Sequence, residues 1–396
     1  MKRRNFLKNT AFASTSVLVP SFLKSISGAP LMSSRSGKIL VVIQLSGGND
    51  GLNTVVPFRN DIYYKNRPKI AIQKNEVLQL NDELGFHPSL KSLKSIYDDG
   101  LMTVINSVGY PNPDRSHFRS MDIWHTASDS DKYLSTGWLG RYLDSDCAGC
   151  QNPYHAIEVD DSLSFAMKGV EHSGFAVNDP SQLRKSANNK FLKSLATHDH
   201  HEEEQVAYLY KTMIDTQNSA DYLYQKSKTH NSKIEYPKTG FARDMRRIAK
   251  LITADTDTKV YYVSLGGFDT HAYQKNKQAR LLEEYADGVA AFVKDLKNNG
   301  LLDETLIMTF SEFGRRVKQN ASGGTDHGTA NNLFLMGGRL KKQGFYNSAP
   351  KLTDLDKGDL KYEIDFRRIY ASVLDDWLEA DANQILAGSF DKVKVW

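Results

Sequence analysis

Apolar residues along this chain fall into two alternating patterns. Continuous runs occupy Lys38–Leu45, Leu101–Ser107, Val260–Leu265, Thr305–Phe310 and Asn332–Met336. Runs of this length, unbroken by polar alternation, predict strands covered on both faces. Between them, Pro88–Tyr97, Phe241–Ile252 and Leu281–Leu296 carry apolar residues every three or four positions, as in Leu90, Leu93 and Ile96. That spacing predicts amphipathic helices. Helix, turn, strand and then polar residues is the order of a parallel α/β sheet. The expected fold class is therefore α/β, a parallel-rich central sheet flanked by helices over residues 38–396. Phe366–Leu378 reads as a further packing helix. From about Asp146 to Tyr236 the alternation fails, and this segment is expected as a helical and loop insertion, with Gln205–Tyr224 at helical spacing through Val206, Leu209 and Met213.

Each predicted strand is followed by groups that can bind a cation. Asp50 ends the turn Gly47-Gly48-Asn49-Asp50-Gly51, and Asp269 and His271 follow Gly266-Gly267-Phe268. Glu312 follows Thr305–Phe310, and Asp326-His327 lies between glycines just before Asn332–Met336. Ligands of a parallel sheet collect outside the carboxyl ends of its strands. Oxygen and imidazole donors gathered there suit a divalent metal ion. Zinc is the leading candidate, with calcium, magnesium and manganese also compatible with a carboxylate-rich set. Asp50, Asp269, His271, Glu312, Asp326 and His327 are the expected ligands. Ser116, in Asp114-Arg115-Ser116-His117-Phe118, reads either as a helix N-cap or as a nucleophile activated by the ion and the helix end. His117 is the candidate acid for a leaving group. Arg315 is expected either to grip an anionic substrate in a forked manner or to form a surface ion pair. The glycine turn lacks both the nucleotide-loop Gly-Lys-Ser/Thr and the dinucleotide Gly-x-Gly-x-x-Gly, and no Gly-x-Ser-x-Gly elbow occurs.

The amino terminus changes the charge argument. Lys2-Arg3-Arg4-Asn5-Phe6-Leu7-Lys8, a mildly apolar Ala11–Leu23 and the small residues Ser25-Ile26-Ser27 resemble a twin-arginine export signal over residues 1–27. The chain has 51 Lys+Arg against 47 Asp+Glu, a net +4. Five of those bases and no acid lie in residues 1–27, so the mature chain would carry 46 bases against 47 acids. No electrostatic case for nucleic-acid binding remains. The apolar stretch is shorter than the ~20 residues of a membrane span, so no integral membrane protein is expected after cleavage. The expected location is periplasmic or secreted, with the translocase as partner during export. Cys147 and Cys150 read first as a local disulfide in an oxidising compartment. The cluster His198, His200, His201 is a weaker metal candidate, flanked by acids.

The order of these motifs resembles the alkaline phosphatase/sulfatase superfamily. More narrowly, Leu45-Ser46-Gly47-Gly48-Asn49-Asp50-Gly51-Leu52-Asn53, Arg115-Ser116-His117-Phe118 and Asp365-Phe366-Arg367-Arg368 look like the twin-arginine-exported family called domain of unknown function 1501. The resemblance implies an alkaline-phosphatase-like sheet and an exported, metal-dependent hydrolase of phosphate or sulfate esters. Its substrate would be an anionic ester, small or borne on a polymer. Asp50 then matches the first-strand ligand, Ser116 the nucleophile, and Asp269 with His271 the ligands of one ion. Glu312 and Phe313 stand where the related segment has Asp and His, leaving His327 as the last histidine. Alternatively, Asp326-His327 fills the Asp–His pair and the last histidine is missing. Either alignment leaves a two-metal set one imidazole short, which admits a second function: a non-catalytic binding or assembly protein keeping the fold and one structural ion. No Cys-x-Pro-x-Arg occurs, so a formylglycine nucleophile is not implied.

Overall fold

The computed structural model describes residues 37–146, 153–187 and 219–396. The expected export signal, Cys147 and Cys150, the His198 cluster and most of Gln205–Tyr224 lie outside these residues. Among the described residues the main elements are β1 (Ile39–Leu45), α1 (Lys91–Asp98), β2 (Met102–Gly109), α2 (His117–Thr126), α3 (Trp138–Asp146), β3 (Ala156–Glu158) and β4 (Phe175–Ala176). They continue with α4 (Gly240–Thr253), β5 (Val260–Leu265), α5 (Gln274–Asn298), β6 (Thr305–Phe310), β7 (Asn331–Gly337), β8 (Gly344–Phe345), β9 (Ile364–Asp365) and α6 (Phe366–Ser372).

The nine strands form one sheet in the order β8-β2-β7-β6-β1-β5-β3-β4, with β9 also pairing with β2. All pairings are parallel except those of β7, which runs antiparallel between β2 and β6. The amino end of β7 therefore shares a rim with the carboxyl ends of β1, β2, β5 and β6. That geometry brings Asn331 beside Val108. It also carries the loop before β7, with Asp326 and His327, to the rim where the loops after β1, β5 and β6 begin.

Every residue of β1 is buried, and alternate residues serve opposite cores. Val41, Ile43 and Leu45 face one layer with Leu93 of α1, Met245 of α4 and Tyr285 of α5. Leu40 and Val42 face the other, with Ile123 and Trp124 of α2, Leu139 of α3 and Ile369 of α6. Each such side chain contributes about 1.5–3 kcal/mol on leaving water, which explains why the strand runs are apolar throughout. At Gly288 of α5 an added Cβ would stand 2.9 Å from the Phe241 ring, so the missing side chain is what lets α5 meet α4. No helix among the described residues is long and apolar enough to cross a membrane.

The segment expected as an insertion holds two strands of the sheet itself, β3 and β4, at its edge. With three and two residues they are too short to announce themselves by periodicity. Burial pushes the carboxyl of Glu158, in β3, up to about 7. A raised carboxyl pKa means that the folded protein holds a proton the unfolded chain releases between about pH 4.5 and 7. Stability should therefore fall across that window by up to an order of 3 kcal/mol at this site. Glu158→Gln is expected to flatten the decline, seen as a higher melting temperature at pH 8 with little change at pH 4.5. A parallel decline in both proteins would count against this assignment.

Candidate metal centre

The rim loops are locked together before any side chain reaches outward. After β1 the chain turns through Gly47 and Gly48 at φ +117 and +73. A Cβ on Gly47 would lie 2.4 Å from the Asp269 nitrogen, so only glycine lets the β1 and β5 loops touch. Gly47 N–H donates to Glu312 Oε1 at 2.8 Å, tying in the β6 loop.

Four donor atoms converge above this floor. Asp269 Oδ1 lies 3.0 Å from His271 Nε2, 3.2 Å from His327 Nε2 and 3.5 Å from His117 Nε2. His271 Nε2 and His327 Nε2 are 2.9 Å apart. His117, Asp269 and His327 can each place one donor atom within 4.8 Å of the others'. A tetrahedral ion with bonds of about 2.0–2.1 Å sets its ligands about 3.3 Å apart, close to these spacings.

The rear nitrogens settle what the front ones present. His117 Nδ1 meets Glu312 Oε1 at 2.9 Å, an oxygen that already accepts from Gly47 N–H. His327 Nδ1 meets the Arg115 carbonyl at 2.7 Å, and His271 Nδ1 meets Asp326 Oδ1 at 3.4 Å. Carboxylates and carbonyls accept, so each Nδ1 carries a hydrogen, and in the neutral form each ring turns its Nε2 lone pair inward. Three lone pairs and a carboxylate oxygen then share one small volume, and His117 Nε2 is buried with no hydrogen-bond partner. Such a set repels itself unless a cation occupies its centre. An imidazole backed by a carboxylate or carbonyl is also the common arrangement behind a bound metal.

The hydrogen bond to Glu312 holds the His117 ring above its ordinary pKa, against the opposing effect of burial. At Asp269, burial acts to raise the pKa, but the hydrogen bond from Arg315, the contact with His327 and the nearby positive charge lower it to about 2. Phe313 stands against both His117 and His327, its ring centroid 4.9 and 4.7 Å from theirs, and so limits how far either ring can turn.

The expected site residues separate into three tiers. Asp269, His271 and His327 converge, and His117, expected as an acid, joins them as a fourth donor. Glu312, expected as a ligand, lies behind His117 as its acceptor. Asp326 lies behind His271, its carboxyl held low first by a hydrogen bond from Asn320 and then by His271. Asp50 is not in the donor set. Its Oδ2 accepts from Arg67 at 2.5 Å and from Gln274, and the side chain is buried. Arg315 does not face a substrate either. Its side chain is 0% exposed, and its nitrogens donate to the carbonyls of Gly47, Gly48, Phe268 and Thr325 and to Asp269 Oδ1 at 2.8 Å. With every nitrogen engaged it clamps three loops, and neither a substrate grip nor a surface ion pair describes it. Ser116 is exposed at the start of α2 and its hydroxyl caps no backbone group. The sequence reading passed over Arg67 and Gln274. Nothing local marks them, because their partners are 17 and 224 residues away.

No curated protein matches the chain in sequence. Solved structures resembling it include the C-terminal periplasmic domain of EcEptC from Escherichia coli in complex with Zn (12% identity, TM-score 0.37, 79% of this chain and 76% of that one). A protein in the alkaline phosphatase superfamily from Vibrio parahaemolyticus aligns at 10% identity and TM-score 0.34, over 84% of this chain and 71% of that one. The PsFucS1 sulfatase from Pseudoalteromonas sp. aligns at 13% identity and TM-score 0.37, over 91% and 73%. In sequence, the family described as protein of unknown function (DUF1501) matches residues 37–377, nearly the whole described fold. By that match, and in line with the motifs after β1 and before α2, the chain belongs to the DUF1501 family.

Proposed function

We propose that this protein is a metal-dependent hydrolase of phosphate or sulfate esters. The observation that carries the reading is the inward convergence of three imidazole Nε2 atoms on the Asp269 carboxylate. His117, Asp269 and His327 would hold the ion, each fixed from behind by Glu312, Arg315 or the Arg115 carbonyl. His271 would be the fourth ligand and the one that yields to an incoming oxygen, since Asp326 at 3.4 Å is its weak rear support. A bound divalent ion supplies Lewis-acid polarisation of an ester oxygen and lowers the pKa of a hydroxyl beside it. Ser116 stands one residue before His117 with its hydroxyl uncommitted, at a helix start that favours negative charge. It is the nucleophile of this reading: its oxygen bonds to phosphorus or sulfur as the alcohol leaves, and water later releases the anion. His117, held as a ligand, is not the acid for that alcohol. A cavity of about 360 Å³ along the same rim, walled by Tyr110, Asp114, Trp124, Phe313, Thr329 and Tyr362, has room for the alcohol portion.

The second reading, a binding protein with a structural ion, draws support from the donor count, because four protein ligands close a tetrahedral shell. Against it stands the exposure of Asp269 and His271, whose side chains are 48% and 45% accessible on the open side. One experiment separates the two. The protein is recovered from the periplasmic fraction, where its mass should lack residues 1–27, and assayed for metal and for turnover of phosphate and sulfate esters. Ser116→Ala is expected to keep the metal and lose turnover. Metal with no turnover in either protein favours the binding reading, and full turnover by the variant removes Ser116.

A further inference from the structure

The donors come from separate loops, and nothing in their own chemistry keeps those loops in register. Asp269 and His271 lie after β5, His327 before β7. Behind both loops sits Gln274, the first residue of α5, with its side chain fully buried. Its amide oxygen accepts from Thr270 Oγ1 at 3.2 Å and from Thr325 Oγ1 at 2.6 Å. Thr270 lies between Asp269 and His271, and Thr325 lies two residues before His327; both are buried. Its amide nitrogen donates to Asp50 Oδ2 and, at 3.3 Å, to Gln278 Oε1. One turn further along α5, Gln278 Nε2 donates to the Asp50 carbonyl at 2.9 Å. A single planar amide thus touches the segments that carry Asp50, Asp269 with His271, and Asp326 with His327.

We infer that Gln274 is the positioning residue that couples the two ligand loops, with Asp50 setting the orientation of its amide. The inference rests on the metal-site reading above. An amide can turn over with little change of shape, and the threonine hydroxyls could serve either orientation, but the reversed one would set its oxygen against the Asp50 carboxylate, which only accepts. Asp50 therefore selects the orientation in which the oxygen serves both threonines, while Arg67 balances the carboxylate charge. The backbone follows the same path, with Thr325 N–H donating to the Thr270 carbonyl at 3.3 Å and Gln274 N–H to the Gly323 carbonyl at 3.0 Å. Asp50 thereby reaches the ion's surroundings through Gln274 without being a ligand.

The test is zinc affinity of the metal-stripped full chain, measured by competition with a chelator, alongside the melting temperature of the zinc-free protein. Q274L keeps the bulk and removes the acceptor, and is expected to weaken zinc binding by about 10- to 100-fold, the range of outer-shell substitutions at metal sites. T325V should weaken it as well, T325S should restore it, and Q274L/T325V should be little weaker than Q274L alone because both remove one connection. The Thr325 pair decides the matter if Q274L fails to fold. A role in folding alone would lower the zinc-free melting temperature and leave affinity within about twofold of wild type, the scatter of unconnected positions. That result overturns the coupling and leaves the metal site standing. A wild-type chain that takes up no zinc overturns the site and the coupling together.

Discussion

Asp269→Ala is expected to empty the metal centre. Asp269 Oδ1 lies within 3.5 Å of all three inward imidazole nitrogens, and it carries the only negative charge among the four donors. Its removal leaves three imidazole nitrogens facing one another with no carboxylate oxygen among them. It also leaves Arg315 Nη2, 2.8 Å from that oxygen, pointing a positive charge at the vacated place. Both effects oppose a cation. The loss should exceed the ~100-fold that an outer-shell change produces, because here a ligand and its charge go together. Asp269→Asn keeps an oxygen and the shape but not the charge, and should fall between. Elemental analysis of the purified proteins, with zinc titration of the stripped forms, reads all three. Full metal occupancy in Asp269→Ala would sink the centre as described, whatever esters the protein cleaves.

Arg67→Met should be the most destabilising of the polar substitutions at the rim. The Arg67 side chain is fully buried and donates to Asp50 Oδ2 at 2.5 Å, Asn53 Oδ1 at 2.7 Å and the carbonyls of Arg316 and Val317 at 2.8 and 2.9 Å. Methionine fills much of the space but satisfies none of these acceptors. It leaves the Asp50 carboxylate, whose Oδ1 already lacks a partner, uncompensated and 1% exposed. Breaking a buried pair from one side typically costs about 3–5 kcal/mol. The partner experiment is Arg67→Met with Asp50→Leu, which removes both charges and should recover a large part of the loss. Denaturant unfolding measures both. A loss under about 1 kcal/mol in the single variant would mean the pair is worth no more than a surface bridge. Because Asp50 also orients Gln274, the double variant should stay deficient in zinc affinity even where stability returns.

Arg315 and Arg67 show why some site residues were visible in the sequence and others misjudged. Both are arginines, one within a strand-end motif and one inside an unremarked helix-to-loop segment. Read locally, Arg315 beside Glu312 looks poised for an anion. In the folded chain its guanidinium is surrounded by carbonyls from the loops after β1 and β5 and before β7. Carbonyls carry no sequence signature, since every residue has one, so a buried arginine clamp and a substrate-binding arginine spell the same motif. His117, expected as an acid, stands among the inward donors for a related reason. Its place after β2 put it at the right rim, but the Glu312 oxygen that turns its Nε2 inward comes from a residue 195 positions away.

The five long strands, the helices α1, α4, α5 and α6 and the rim on which chemistry collects were determined by the sequence alone. Unbroken apolar runs leave no solvated face, so they must lie inside a sheet covered on both sides, and the polar residues that follow must emerge at its ends. The DUF1501 motifs were legible for the same reason, being contiguous. Tertiary structure decided the rest. It alone fixed which donors face inward, which stand behind them, and that Asp50 belongs with Arg67 and Gln274. Those distinctions depend on hydrogen bonds between residues from 17 to more than 200 positions apart, where a shift of one rotamer exchanges a ligand for its support, and no local pattern of residues encodes that choice.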